Sequence, residues 1–262
     1  MNKSAFCWII LAALCWLPVA ATAQSSAQEI TVAAAADLQF VLPEMAARFE
    51  KQTGSHVKLV FGSSGNFFAQ IQNGAPFDLF FSADIDYAKN LESAGLAEPG
   101  TLSEYATGKI VLWLPKDSSF DPHRGLDLLL DPGIKKIAIA NPQHAPYGRA
   151  AVAALQNQGL YDRVKDKLVL GENISQAASF VVAGSANAGI VALSLALAPS
   201  LKDKGKYVVV PGDEYPAIQQ AAVILKSSKQ KEVAHRFLTY ATSASVSDLW
   251  KDYGFVVPSA PK

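Results

Sequence analysis

The sequence predicts an α/β chain of two similar lobes, each a parallel-rich mixed sheet covered by helices. Two observations carry this. Apolar β-type runs alternate with helically spaced stretches over short links, a pattern that builds parallel sheets with helices on their faces. A cassette of strand, polar turn and helix occurs early and again after Lys109, which implies a second lobe built like the first.

Before the fold comes a targeting segment, residues 1–23. Lys3 gives it a positive start, Ala5 to Val19 are almost wholly apolar, and Ala21-Thr22-Ala23 is a small-x-small cleavage site before Gln24. The apolar run is short for a membrane anchor. A lipoprotein reading would centre on Cys15, but Leu14 sits where a small residue is wanted.

The elements follow in order. Ile30 to Ala35 reads as a buried strand. Leu38 to Gln52 is helical, with apolar residues at Leu38, Val41, Leu42, Met45, Ala46 and Phe49, and Gly54 stops it. Val57 to Phe61 is a strand and Phe67 to Gln72 a helix stopped by Gly74. Leu79 to Phe81 is a strand after Pro76, and Ile85 to Ala94 a helix stopped by Gly95. In the second lobe, strands are expected at Lys109 to Leu114, Ile137 to Ala140, Leu168 to Leu170, Ala188 to Leu193 and Tyr207 to Val210. Helices are expected at Leu126 to Asp131, Gly148 to Leu155 and Ser175 to Val182. Ala221 to Leu225 is a further strand, and helices at Val233 to Thr242 and Val246 to Tyr253 close the chain. The chain is expected to cross near Gly108 and return near Pro216. Lobe 1 would be residues 29–108 plus 217–262, and lobe 2 residues 109–216. Ligands of such sheets sit at the carboxyl ends of strands, here between the lobes.

Composition narrows the function. The only cysteines, Cys7 and Cys15, fall in the leader, so an exported chain would fold without a disulfide. About 239 residues remain (262 minus 23), enough for a two-domain core without staples. Removing Lys3 leaves 22 basic and 23 acidic residues, a formal charge of −1. With no basic stripe, nucleic acid is a poor partner, and any bound anion needs neutral dipoles or very local charge.

Four strand-to-helix turns are candidate anion cradles, since N–H groups at a helix start have no partner within the helix and lie at its positive end. In Ala33-Ala34-Ala35-Ala36-Asp37-Leu38, small residues allow close backbone approach, and Asp37 reads as an N-cap, a ligand residue or both. In Gly62-Ser63-Ser64-Gly65, two serines stand at a helix entrance. In Asn141-Pro142-Gln143-His144-Ala145-Pro146-Tyr147-Gly148-Arg149, Tyr147 is placed to donate to an anion or to cover the cleft. Arg149 reads as an anion clamp or, more commonly for a first-turn residue, as a solvent-facing charge, and His144 as structural. In Gly171-Glu172-Asn173-Ile174-Ser175, Asn173 is a good N-cap that would turn the Ile174 N–H outward.

These turns, in this order, resemble the periplasmic molybdate-binding protein family, ModA, of ABC importers. The match is carried by Ile30 to Ala36, Gly62-Ser63-Ser64, Gly108 to Trp113, His144-Ala145-Pro146-Tyr147-Gly148, Gly189-Ile190-Val191 and Gly254-Phe255. Its most specific block runs from Asn73 to Asp84 and contains Gly-Ala-Pro-x-Asp-Leu-Phe-x-Ser-Ala-Asp. The resemblance spans essentially the whole chain after the leader. It implies a type II, Venus-flytrap binding protein, monomeric and periplasmic, that encloses molybdate or tungstate between its lobes and hands it to a membrane permease. It implies no cofactor and no directly coordinated metal, the molybdenum being bound as its oxyanion.

Carried over by position, the resemblance implies a binding site of Ala36, Asp37, Ser64, Tyr147 and Ile174, with Ser63 and Asn173 behind them. Ser64 matches a serine that binds an oxygen, and Ile174 a residue whose backbone N–H donates. Tyr147 sits where some members have a ligating tyrosine. Ala192 sits where many members have a binding tyrosine, a loss that Tyr147 would offset. Asp37 departs from the family's serine or asparagine. A carboxylate 4 Å from a unit charge costs ~4 kcal/mol at an effective dielectric of 20, and a dianion about doubles that. The side chain caps its own helix and turns away, shares a proton with the oxyanion, or selects a different ligand. The first is the expectation.

Molybdate and tungstate are fully deprotonated at neutral pH and accept hydrogen bonds on every oxygen. Sulfate is smaller, so cavity size must discriminate against it. Phosphate keeps a proton and wants an acceptor, so phosphate, sulfate and chromate stand as alternative ligands, and a sensory binding protein as an alternative role. An enzyme is disfavoured: there is no Gly-x-Ser-x-Gly elbow, no phosphate loop, and no His cluster suited to zinc among His56, His123, His144 and His235.

Overall fold

The computed structural model describes residues 28–258. The leader and its expected cleavage site lie outside them. In chain order the main elements are β1 (Glu29–Ala35), α1 (Val41–Thr53), β2 (His56–Gly62), α2 (Ser64–Gln72), β3 (Leu79–Ser82), α3 (Ile85–Ser93), β4 (Ser103–Gly108) and β5 (Ile110–Pro115). Then come β6 (Ile137–Ala140), α4 (Pro146–Asn157), α5 (Tyr161–Val164), β7 (Leu168–Gly171), α6 (Ile174–Val182), β8 (Ala188–Ala192) and α7 (Leu193–Leu197). The last are β9 (Gly205–Val209), β10 (Ile218–Ile224), α8 (Lys231–Ala241) and α9 (Ser247–Asp252).

Two five-stranded sheets result, ordered β2-β1-β3-β10-β4 and β7-β6-β8-β5-β9. Each pairs its first three strands in parallel, and its fourth strand runs against both neighbours. The chain leaves the first sheet between Gly108 and Ile110 and returns to it between Val209 and Ile218. Adjacent parallel strands have helices in the intervening chain, as a parallel connection requires.

The helices form where apolar residues recur at helical spacing. Val41, Leu42, Met45, Ala46 and Phe49 make the buried stripe of α1, and Gly54 ends it in the left-handed region at φ 72°. The C-terminal helices pack on the same sheet. Phe237 meets Phe49 edge-on at 5.1 Å, and Trp250 stacks on Tyr105 at 5.1 Å while its Nε1 donates to the Ala241 carbonyl.

Several expectations need correction. Strand β4 was not anticipated, because Ser-Glu-Tyr-Ala-Thr-Gly has no apolar run; it is a sheet-edge strand with a partly exposed surface. β10 begins at Ile218, three residues before the expected Ala221, with Gln219 and Gln220 inside the strand. The expected helix at Leu126 to Asp131 is a 3-10 segment, Pro122–Leu130, broken at Gly125 with φ 65°. The short helices α5 and α7 hold four and five residues, too few to show a period.

Candidate functional site

The carboxyl ends of β1, β2 and β3 lie side by side, with Ala35 opposite Gly62 and Ala34 opposite Phe81. That register delivers Ala36 and Asp37, Ser63 and Ser64, and Ala83 to one edge of the first sheet. In the second sheet Ala140 is opposite Gly171, which brings the loops leading into α4 and α6 together. The two edges face one another across a small cavity. Ala36, Asp37, Ser64, Tyr147 and Ile174 all line it, with Ser63 and Asn173, and no Lys, Arg or His does. A larger hollow, of about 370 Å³, is lined by Asp84, Asp86 and Arg149 among mainly apolar residues. Its two carboxylates disfavour an anion, so the smaller cavity is the candidate.

The first turns of α2 and α6 point N–H groups and the positive helix ends at this cavity. Ser63 is the N-cap of α2: its Oγ accepts from Asn66 N at 3.4 Å and lies 2.8 Å from His144 Nδ1. Ser64 follows, and its Oγ accepts from the Ala83 N–H at 2.9 Å. With an acceptor lone pair so occupied, the Ser64 proton is aimed away from Ala83 and left for another acceptor. Asn173 caps α6 by accepting from Gln176 N at 3.0 Å, which leaves Ile174 at the first helical position.

Asp37 does not cap its helix. The 3-10 turn Ala36–Leu38 has Ala35 at its N-cap and no side-chain cap bond. The Asp37 carboxylate instead turns inward, 1% exposed, where stronger partners wait. Its Oδ2 accepts from the Tyr147 hydroxyl at 2.9 Å and from Gln220 Nε2 at 2.8 Å, while Oδ1 has no aligned hydrogen-bond partner. Burial pushes the Asp37 carboxyl up to about 6, opposed by the hydrogen bonds from Gln220 and Tyr147 and, least, by its own backbone N–H. Burial, then the neighbouring Asp37 charge, holds the Tyr147 and Tyr105 phenols well above their usual range.

Around Asp37 runs a buried network. Gln220 Nε2 also donates to the Tyr147 hydroxyl at 2.9 Å, and the Tyr105 hydroxyl donates to Gln220 Oε1 at 2.8 Å. Ser194 of α7 donates to the Asp37 main-chain carbonyl at 2.8 Å. Gly108 makes room: a Cβ there would stand 2.1 Å from the Tyr147 hydroxyl oxygen. The single Tyr147 proton is thus committed to Asp37. Sequence reasoning missed Gln220 and Ser194. The available signal was Gln219-Gln220 at the head of an apolar run, since one of two adjacent strand residues must face the core.

The lobes are drawn together at the cavity rim. Gly65 N donates to the His144 carbonyl at 2.9 Å, and Ser175 Oγ donates to Gln39 Oε1 at 2.6 Å. Arg149 neither lines the cavity nor stands free in solvent. Its guanidinium pairs with Asp84 across the cleft, donates to the Tyr87 hydroxyl at 3.2 Å, and lies 5.5 Å from the Tyr87 ring centre. His144 bridges Ser63 and the rim, a structural position. The Asn73 to Asp84 block serves the frame: Asp78 accepts from Thr31 N and from Ser228, and Asp84 caps α3.

A family model described as bacterial extracellular solute-binding protein matches residues 30–256. The molybdate-binding protein ModA of Azotobacter vinelandii is 40% identical over 231 residues, 88% of this chain and 91% of that protein. The chain belongs to the ModA family of bacterial solute-binding proteins. The ModA of Rhodobacter capsulatus is 38% identical, over 88% of this chain and 90% of its own. Among solved structures, the Azotobacter vinelandii periplasmic molybdate-binding protein superposes with a TM-score of 0.83 at 36% identity, covering 88% of this chain and 100% of that one. The ModA fold, two mixed sheets flanked by helices in a type II arrangement, is therefore the fold of this chain, and the family is one of solute-binding proteins rather than enzymes.

Proposed function

We propose that this chain is a periplasmic binding protein that captures molybdate, or the near-isosteric tungstate, between its lobes and delivers it to the membrane permease of an ABC importer. The observation that carries this is a small cavity at the carboxyl ends of both sheets, lined by helix-start N–H groups and a serine hydroxyl and by no Lys or Arg. Molybdate-binding relatives of nearly full length support the choice of oxyanion.

In this reading the backbone of Ala36 and Asp37, the Ser64 hydroxyl and the Ile174 N–H donate to the ligand oxygens. Tyr147 closes the wall and works through Asp37. Ser63 and Asn173 shape the two helix entrances. Lobe 1 is residues 29–108 with 217–262, lobe 2 is 109–216, and the protein acts as a monomer released by cleavage after Ala23. Closure over the ligand removes water and strengthens each hydrogen bond, and the closed form is what the permease recognises. Delivery, not turnover, is the activity.

Calorimetry or thermal shift with molybdate, tungstate, sulfate, phosphate and chromate tests this. At 100 times its Kd, the true ligand stabilises the fold by about 2.7 kcal/mol. Shifts with molybdate and tungstate, with sulfate far weaker, are expected. A shift with phosphate and none with molybdate would overturn the reading.

A further inference from the structure

Asp37 places an acid inside a cavity whose proposed ligand offers only acceptors. Its two oxygens are treated unequally: Oδ2 receives donors from both Tyr147 and Gln220, and Oδ1 has no aligned donor among the described residues. An ionised Oδ1 there is a buried charge without a donor, and beside an oxyanion it adds like-charge repulsion. A protonated Oδ1 removes both problems. Oδ2 then becomes a carbonyl oxygen whose two lone pairs meet the two donors it already has, and Oδ1–H becomes a donor to the cavity.

We propose that Asp37 holds the oxyanion as a neutral carboxylic acid, its Oδ1–H donating to a ligand oxygen while Tyr147 and Gln220 orient Oδ2. This rests on the oxyanion reading of the cavity. The groups facing Asp37 are consistent with a retained proton. From α4 and β4 these are the Tyr147 and Tyr105 phenols, neither ionised near neutrality, and from β10 and α7 the neutral Gln220 and Ser194. The His144 imidazole is engaged with Ser63, and among the described residues no lysine or arginine bonds to Asp37. Burial already pushes the carboxyl up to about 6, and a dianion alongside pushes it further in the same direction. At neutral pH the ligand-free site therefore holds Asp37 mostly ionised and the complex holds it protonated. One proton is taken from solvent as each ligand binds and returned when it leaves. Asp37 thereby selects for fully deprotonated oxyanions, because the site supplies the proton itself.

Calorimetry of molybdate binding in two buffers of different ionisation enthalpy, at about pH 7.5, counts that proton. Uptake approaching one per molybdate is expected, and Kd should weaken about tenfold per pH unit above the ligand-free value. Asp37→Asn places an N–H where Oδ1–H stood. It should abolish the uptake, flatten Kd between about pH 6.5 and 8.5, and bind more tightly than the parent at the alkaline end. Molybdate binding in the parent with no uptake and a flat Kd would overturn the proposal. Uptake that persists in Asp37→Asn would overturn it too, by moving the proton to another group. Should Asp37→Asn not fold, the parent's proton count and pH slope decide alone. No molybdate binding at any pH is a different result: it sinks the oxyanion reading and this proposal with it.

Discussion

The Tyr147 hydroxyl donates to Asp37 Oδ2 at 2.9 Å, joining residues 110 positions apart in sequence across the cleft between the two sheets. The bond explains how a carboxylate came to be buried in a site otherwise built of neutral groups. It also means that the stability of the fold responds to the titration of one side chain.

The raised folded value of Asp37 makes the fold more stable at acid pH than at neutral pH. Asp37 has an ordinary value of 3.8 and a folded value of about 6, so its folded form holds a proton that the unfolded chain releases between those points. Its contribution is fully present below about pH 4, falls as pH rises to about 6, and is constant above that. Raising the carboxyl from 3.8 to about 6 corresponds to about 3 kcal/mol. Asp37→Asn should therefore gain on the parent by up to about 3 kcal/mol between pH 4 and 7. Urea denaturation across that range measures it, and a constant difference between the two proteins would show that Asp37 does not titrate there.

Ser64 offers a hydroxyl proton at the cavity wall. Its Oγ is oriented by the Ala83 N–H at 2.9 Å, so removing the hydroxyl costs a donor to a charged oxygen and orphans Ala83. Ser64→Ala should weaken molybdate binding by roughly 1.5–3 kcal/mol, about ten- to a hundredfold. Titration calorimetry reads the loss, and an unchanged Kd would remove this side chain from the site.

At Gly65 the lobes approach too closely for any side chain. A Cβ there would stand 2.7 Å from both the His144 carbonyl oxygen and the Tyr87 hydroxyl oxygen. Gly65→Ala should leave each lobe folded but hold the closed form apart, raising Kd at least about tenfold through a smaller closed population. Small-angle scattering with saturating molybdate should show a larger radius than the parent complex. Equal radii and equal affinities would mean that the rim contact is not part of closure.

Arg149 separates two roles by magnitude. Its pair with Asp84 is partly exposed, 39% and 24% by side chain, so the contact is worth no more than about 1 kcal/mol. Arg149→Ala should speed ligand release by up to about fivefold with little change in the association rate, as stopped-flow kinetics would show. A loss of a hundredfold or more would instead place the guanidinium on the ligand.

Much of the architecture was legible because it rests on local periodicity. The α1 stripe, the glycine stops and the apolar strands β1, β3, β5 and β8 each carry their signal within a few residues. The edge strand β4 and the head of β10 were not legible. What makes them strands is hydrogen bonding to distant partners, with Gln220 opposite Ala106 and Ile218 opposite Gly108. The turns that converge on the cavity could be named from the chain, since each is a local pattern of glycine, serine or asparagine before a helix. What surrounds Asp37 could not: its expected capping bond is a local interaction, and it yields to Tyr147 and Gln220, 110 and 183 positions away.

By itself, the sequence determined most of the strands and helices, that the chain builds two lobes of one design, and which turns lead into helix starts, because these follow from the order of side chains along a few turns or strand repeats. Only the tertiary structure decided which oxygen of Asp37 is satisfied, that Arg149 spans the rim instead of the cavity, and that Gly65 and Gly108 are needed for close approach. Those outcomes depend on distances between groups far apart in the chain, and on a burial that exists only once both sheets have closed on the same small space.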